Sequence, residues 1–306
     1  MIIAQTALFR TAGSPYPGGM GLLGLRKELH MKIGFIGAGK VGTAFGRYLK
    51  ENRVEVLGYF SRSASSAKKA ALFTDTLCLS LGELVAGCEY IFITTPDDAI
   101  ASVWNQIKDF NIEDKKIFHM SGSLSSHIFC GIEDCRAYGY SLHPLFPFSH
   151  PEVFKELQNA FFTIEGRNLN LIQDFLDAAK IKHFPIQGEN KAKYHAAAVF
   201  ASNYIVCLAE ISKEILIQCG MPRELEKSIY PLLAGAVNNI ANYGIDRALT
   251  GPIVRGDTGT VKKHLEALTD YQDLYRSLGK VAVSLSYKRG AIGENKRNEL
   301  NKLLEE

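Results

Sequence analysis

No C-x-x-C pair occurs anywhere in the 306 residues, although the chain has six cysteines: Cys78, Cys88, Cys130, Cys135, Cys207 and Cys219. The closest spacing, Cys130 to Cys135, lacks the histidine pairing of a zinc site, so neither a structural metal nor a dithiol redox centre is expected. Such thiols read as reduced and mostly buried, the pattern of a cytoplasmic protein. No stretch approaches the roughly 20 uninterrupted apolar residues of a membrane helix, so no membrane is expected as a partner. The net charge of +3 is spread along the chain without a basic block or a stripe of interleaved aromatics, and nucleic acid is not expected either. A small molecule is the partner that remains. Residues 1–30 lack the compact apolar segment of a secretory signal and read as an upstream extension before a domain that begins at Met31.

What is present starts at Met31. Ile33-Gly34-Phe35-Ile36 is a short apolar strand that runs into Gly37-Ala38-Gly39-Lys40-Val41-Gly42, a complete G-x-G-x-x-G turn opening a helix over Thr43 to Lys50. This turn lets backbone approach a pyrophosphate at a helix N-terminus, which marks a dinucleotide site. The next strand, Val54 to Phe60, ends in Ser61-Arg62-Ser63. An acidic residue there would hold a free ribose 2′-hydroxyl, and none is present. Arg62 between two hydroxyls suits a 2′-phosphate, so NADP is expected over NAD.

Alternation of strand, polar loop and helix continues. Tyr90 to Thr94 stops at Thr95-Pro96-Asp97, Lys116 to Met120 stops at Ser121-Gly122-Ser123, and Tyr138 to Leu142 stops at His143-Pro144. The pattern predicts an α/β doubly wound Rossmann domain over residues 31–188, with ligands outside the carboxyl ends of the strands. Thr95, Pro96 and Asp97 would then border the cofactor ribose, and Ser121, Ser123 and His143 would lie nearer the nicotinamide.

Beyond Gly188 the strand signal ends, and helices are expected over Tyr194–Gln218, Glu224–Asn242, Thr258–Leu268 and Asp270–Tyr287. This all-helical domain, residues 189–290, would precede a charged tail at 291–306, and its apolar faces predict a homodimer. On the first helix His195 and Ser202 share a stripe, with Asn203 beside it and alanines between. In the loop Thr250 to Asp257, Arg255 is placed to hold a substrate carboxylate, while Asp257 is either a second polar contact or the N-cap of the following helix.

The run Tyr194-His195-Ala196-Ala197-Ala198 through Ser202-Asn203, with the Leu249–Asp257 loop and Ser141-Leu142-His143-Pro144, resembles the Rossmann-like oxidoreductases that carry the DUF2520 domain. The resemblance covers Met31 to about Tyr287. It is similar in plan to ketopantoate reductases, pyrroline-5-carboxylate reductases and β-hydroxyacid dehydrogenases, which join an NADP domain to a helical one. The resemblance implies an NADPH-dependent oxidoreductase, with 2-dehydropantoate (ketopantoate) in pantothenate synthesis as the leading substrate. A reductase of an imine or β-hydroxy acid, or a nonenzymatic NADP sensor, are the other readings. Ketopantoate reductases use a helix lysine followed by asparagine one turn later. Here His195 holds the comparable helix start, Asn203 comes two turns later, and Lys193 precedes. The expected catalytic residues are therefore His195, Asn203 and Lys193, with Ser121, Ser123, His143, Ser202, Arg255 and Asp257 around the substrate.

Overall fold

The computed structural model describes residues 31–305, so the extension at 1–30 lies outside the described residues. The chain divides into two compact units, one ending at Ala197 and the other beginning at Ala198.

The first unit is built on an eight-stranded sheet. Its strands are β1 (Ile33–Ile36), β2 (Val56–Phe60), β3 (Leu77–Cys78), β4 (Tyr90–Ile93), β5 (Lys116–His119), β6 (Tyr138–Pro144), β7 (Phe161–Gly166) and β8 (Lys182–Pro185). The order is β3-β2-β1-β4-β5-β6-β7-β8. All neighbours are parallel except β6 and β7. β1 and β4 are buried at every residue, as expected of strands covered on both faces by crossover helices. Those helices are α1 (Lys40–Glu51), α2 (Ala64–Thr74), α3 (Leu81–Gly87), α4 (Asp97–Ile107) and the short α5 (Gln173–Ala178), before α6 (Lys191–Ala201).

Registration is marked by a row of rings. Tyr59, Phe35, Phe92, Phe118 and Tyr140 sit opposite one another on β2, β1, β4, β5 and β6. They stack at centroid separations of 5.1, 5.4, 4.5 and 5.0 Å. Offset-stacked aromatic pairs are worth about 0.5–1.5 kcal/mol beyond the area they bury.

The second unit contains α7 (Asn203–Gln218), α8 (Tyr230–Tyr243), α9 (Ile245–Ala248), α10 (Thr258–Ala267), α11 (Gln272–Lys288) and α12 (Glu294–Leu303). Ile253, Val261, Leu265, Val283, Ile292, Leu300 and Leu304 form its core.

The structure corrects several expectations. The expected charged tail is α12, because Leu300 and Leu304, four apart, turn one face into that core. The expected helix over 194–218 begins earlier, at Lys191, and breaks at Ser202, whose φ of −133° and ψ of −72° separate α6 from α7. By length and composition the run Gly188–Gln218 is apolar enough to cross a bilayer, but this break and the buried Lys191 near its start set it apart from a continuous span. The segment after Pro222 is 3-10 helix up to Ile229, and the α-helix starts only at Tyr230, followed by Pro231 in the first turn. Of the thiols only Cys88 is buried and Cys135 half-buried; the other four are exposed, Cys78 on the two-residue edge strand β3.

Candidate active site

Gly37 leaves β1 with φ of +113°, a left-handed conformation, and any Cβ there would meet the Thr94 carbonyl carbon at 2.7 Å. Only glycine makes this turn without strain. The turn is tied to both neighbouring strands: Gly37 N–H donates to Phe60 O at 2.8 Å, and Thr94 Oγ1 donates to Gly37 O at 2.9 Å. Gly42 gives α1 its close approach, since an added Cβ there would strike the Thr94 side chain.

Gly39 differs from both. It is the N-cap of α1, no side chain caps that helix, and a Cβ built on it meets nothing within 4 Å. Above it lies a cavity of about 260 Å³ bordered by Gly37, Ala38, Gly39, Ser61, Arg62 and Ser66, and on the other side by Thr95 and Pro96. Among the described residues no acid lines it, and Thr95 Oγ1 is buried without a partner there. An uncapped helix N-terminus, open space over glycine and an orphaned hydroxyl fit the pyrophosphate and ribose of a dinucleotide. Lys40 is exposed and Val41 half-buried on α1, and neither borders the cavity. Ser63 is withdrawn too. Its hydroxyl caps α2 by accepting from Ser66 N–H at 3.3 Å, and Ser66 takes the lining position instead.

Asp97 corrects the expectation that it borders the ribose. It begins α4, directly after the cavity wall at Pro96, but its Oδ2 accepts from Ser121 Oγ at 2.7 Å and Ser123 Oγ at 3.0 Å. The side chain follows the two hydroxyls that can satisfy it, at the end of β5. Ser121 Oγ in turn accepts the Ser123 and Leu124 N–H groups at 3.2 and 3.1 Å, which fixes the Ser121–Ser123 turn.

A basic cluster surrounds this turn. Lys191, 1% exposed, donates from Nζ to Ser141 Oγ at 2.7 Å and to Ser121 O at 3.0 Å. Burial lowers its pKa to about 8, against the opposing pull of the Glu165 and Asp97 carboxylates. Glu165 is itself buried, accepting from Ser126 N–H at 2.6 Å and Ser126 Oγ at 2.8 Å. His143 Nδ1 lies 2.7 Å from the Tyr194 hydroxyl. Burial and the Lys191 cation hold His143 down to about 3, and the same two causes in the same order hold His119 at about 4. Both rings are therefore neutral at physiological pH. His119 accepts the Ser121 N–H on Nδ1 at 3.2 Å, and its Nε2 is buried without a partner among the described residues.

His195 completes the group. Its ring stands perpendicular to that of His143 at 5.9 Å between centroids, and its Nδ1 is buried without a partner among the described residues. Gly122 fits between the two. A Cβ there would strike His195 Nδ1 and would lie 2.8 Å from His143 Nε2. Ser121, Ser123, His143 and His195 are thus brought together in the first unit, around a glycine that presents bare backbone to two imidazoles.

Lys193 does not join them. It is exposed on α6, and the lysine of the cluster is Lys191. Ser202, Asn203, Arg255 and Asp257 belong to the second unit. Ser202 Oγ donates to Ala198 O at 2.7 Å and lies 2.9 Å from Asn203 Oδ1. Asp257 is the N-cap of α10, accepting from Thr260 N–H at 3.0 Å, while Arg255 stands exposed in its loop. Lys191, His119, Glu165 and Gly122 were missed as functional candidates. His119 alone had a local signal, an ionisable residue closing the apolar run Ile117-Phe118.

Comparison with known families agrees with this architecture. A Rossmann-like model matches residues 21–144, and the domain of unknown function DUF2520 matches residues 160–282. This is a Rossmann-like chain with a DUF2520 domain. Protein TM1727 from Thermotoga maritima is 29% identical, with a TM-score of 0.68 over 84% of this chain and 98% of its own. BF3122 from Bacteroides fragilis, described as a candidate NADP oxidoreductase, is 20% identical at a TM-score of 0.67, with the same coverage of both chains. Pyrroline carboxylate reductase from Plasmodium falciparum, solved with NADP bound, shares the fold at 16% identity and a TM-score of 0.56, over 89% of this chain and 99% of its own. No curated protein sequence matches the chain. The DUF2520 match starts at the antiparallel strand β7 and runs into α11, so in this DUF2520 chain the domain contributes Glu165, Lys191, Tyr194 and His195 to the site of the first unit.

Proposed function

We propose that the chain is an NADPH-dependent reductase that reduces the carbonyl of a small 2-oxo acid, with 2-dehydropantoate as the first substrate to test. The observation that carries this reading is the continuity of Thr95-Pro96-Asp97: Thr95 and Pro96 wall the glycine-turn cavity, and Asp97 holds the serine turn of the imidazole cluster. Cofactor groove and proton-handling groups are thereby consecutive along one loop. The NADP-bound pyrroline carboxylate reductase of the same fold supports the choice of cofactor.

In this reading Gly37, Ala38, Gly39 and the first amides of α1 hold the pyrophosphate, and Ser61, Arg62 and Ser66 hold the 2′-phosphate. Bound NADPH supplies a hydride. As the carbonyl oxygen gains charge, His195 gives it a proton and the neutral His143 orients it, while Lys191 stabilises the negative charge through the Ser121 backbone and Ser141. The product is the 2-hydroxy acid.

The test follows NADPH absorbance with 2-dehydropantoate, pyruvate and 1-pyrroline-5-carboxylate, then repeats any hit with NADH and with Arg62→Ala. Oxidation with a 2-oxo acid is expected, and Arg62→Ala should raise KM for NADPH about 10- to 100-fold, the value of one charged hydrogen bond, with little change for NADH. Oxidation with the pyrroline alone would replace the substrate class. NADPH binding without turnover on any member would favour a sensor.

We also propose that the chain is a homodimer through its helical unit. Among the described residues neither α7 nor α8 has a buried position, and Val206 and Leu232 are 70% and 77% exposed. Apolar helix faces of this extent require cover. Light scattering at micromolar concentration should give twice the 33.8 kDa chain mass; a monomer under those conditions would exclude it.

A further inference from the structure

The distal half of α1 borders a second cavity, of about 950 Å³, that shares no residue with the glycine-turn groove. Arg47 and Glu51 lie eight and twelve residues past Gly39, or about 12 and 18 Å along the helix at roughly 1.5 Å per residue. A ligand held there is separate from the dinucleotide.

Aromatic surface forms part of the lining. Phe73, near the end of α2, and Phe154, in the 3-10 segment Pro151–Asn159, meet edge to face at 6.0 Å, with Tyr48 beside them. Four cations line the same space, Arg47, Lys155, Lys180 and Lys182, against two carboxylates, Glu51 and Glu152, a net charge of 4 − 2 = +2. Arg47 is preorganised. Its Nη1 donates to Phe73 O at 3.2 Å, its Nη2 pairs with Glu51 at 2.7 Å, and its guanidinium lies 5.7 Å from the Phe154 ring centre. The turn before β8 is pinned as well, by Tyr48 OH donating to the carbonyl of Lys180, which adopts φ of +52°. The three lysines form no ion pair among the described residues.

We propose that this cavity binds a mononucleotide, with the base against Phe154 and Phe73 and the phosphate among Lys155, Lys180 and Lys182. A flat heteroaromatic ring suits aromatic faces and a guanidinium plane, and ammonium groups without a carboxylate partner suit a phosphate as point charges. The volume falls in the range of small-molecule sites, about 300–1,000 Å³, and the few cations are gathered in one concavity instead of lying along a track as a polynucleotide would need.

Calorimetric titration of the full chain with AMP tests the proposal, using wild type and the double variant Lys155→Glu/Lys182→Glu, each with and without NADP+ saturating the glycine-turn groove. The mutated lysines are exposed, so the fold is retained, which circular dichroism checks. With NADP+ saturating that groove, AMP is expected still to bind wild type and to bind the double variant at least tenfold more weakly. Phe154→Ala should weaken AMP and leave inorganic phosphate unchanged. Binding lost once NADP+ saturates the glycine-turn groove would place AMP in that groove and overturn the proposal. Absence of binding at millimolar AMP, or phosphate binding as tightly as AMP, would also overturn it. Tighter binding of a single-stranded oligonucleotide than of AMP would replace the ligand class.

Discussion

A Gly122→Ala variant is expected to lose about 100-fold in kcat/KM while binding NADPH as tightly as the parent. The added methyl has no free space. It would strike His195 Nδ1 and come within 2.8 Å of His143 Nε2, far inside carbon–nitrogen contact. The serine turn cannot retreat, because Ser121 is held by Asp97, His119 and Lys191. His143 is anchored to Tyr194. The imidazoles must therefore shift by a substantial fraction of an ångström, and misplacement on the order of 1 Å costs about 10²-fold in rate. The glycine-turn cavity shares no residue with Gly122, so cofactor affinity is spared. Fluorescence titration with NADPH, steady-state kinetics and imidazole nitrogen spectra check the three parts. A variant with parental kcat/KM and unshifted imidazole resonances would remove the cluster from the reaction.

Lys191→Met is the second large effect, and its signature is a changed pH dependence. Activity should fall about 10²-fold, the usual cost of losing one electrostatic stabiliser. Burial and the Lys191 charge hold His143 and His119 at about 3 and 4, below their ordinary 6.5. An unfolded chain takes up protons at those two positions first as pH falls below 6.5. The stability from keeping them neutral is thus complete above about 6.5 and is lost as pH falls through 4 and 3, by up to about 1.4 kcal/mol per pH unit for each ring. Without the Lys191 charge both folded-state values move back toward 6.5, so the acid loss becomes shallower. Lys191 itself titrates at about 8 in place of 10.5. Wild type accordingly gains stability as pH rises from 8 toward 10.5, and the methionine variant lacks that gain. Urea unfolding midpoints at pH 5, 7 and 9 decide the matter. Parallel curves for the two proteins would show that Lys191 does not set the charge of the cluster.

Sequence legibility divides along the range of the interactions. The glycine turn, its flanking strand and helix, and the absence of an acid beside Arg62 are local patterns, and the structure brings Gly37, Ala38, Gly39, Ser61 and Arg62 to one cavity. The nonlocal parts escaped. Lys191 looks like any lysine at a helix start, and its partners lie 70 and 50 residues earlier, at Ser121 and Ser141. Lys193, two residues on, was equally plausible in sequence. Helical geometry turns these neighbours about 200° apart, and only Lys191 faces the sheet. Chain adjacency to Pro96 points Asp97 toward the ribose, whereas its direction is set by hydroxyls at the end of another strand. The segment of α12 has the composition of a charged tail, yet Leu300 and Leu304 are enough to seat one face.

The row of rings from Tyr59 to Tyr140 has a bearing on how this site can change. Gly37 and Thr94 each come two residues after a ring, and Ser121 three after another. A one-residue slip of any strand would carry its ring to the opposite face and break the row, so the ladder is a common baseline from which the binding loops are measured. Loops can then be lengthened, shortened or exchanged without losing their alignment to one another. For an engineer seeking a new substrate, the five rings are the part to leave untouched, and the Ser121–Ser123 turn is the dial.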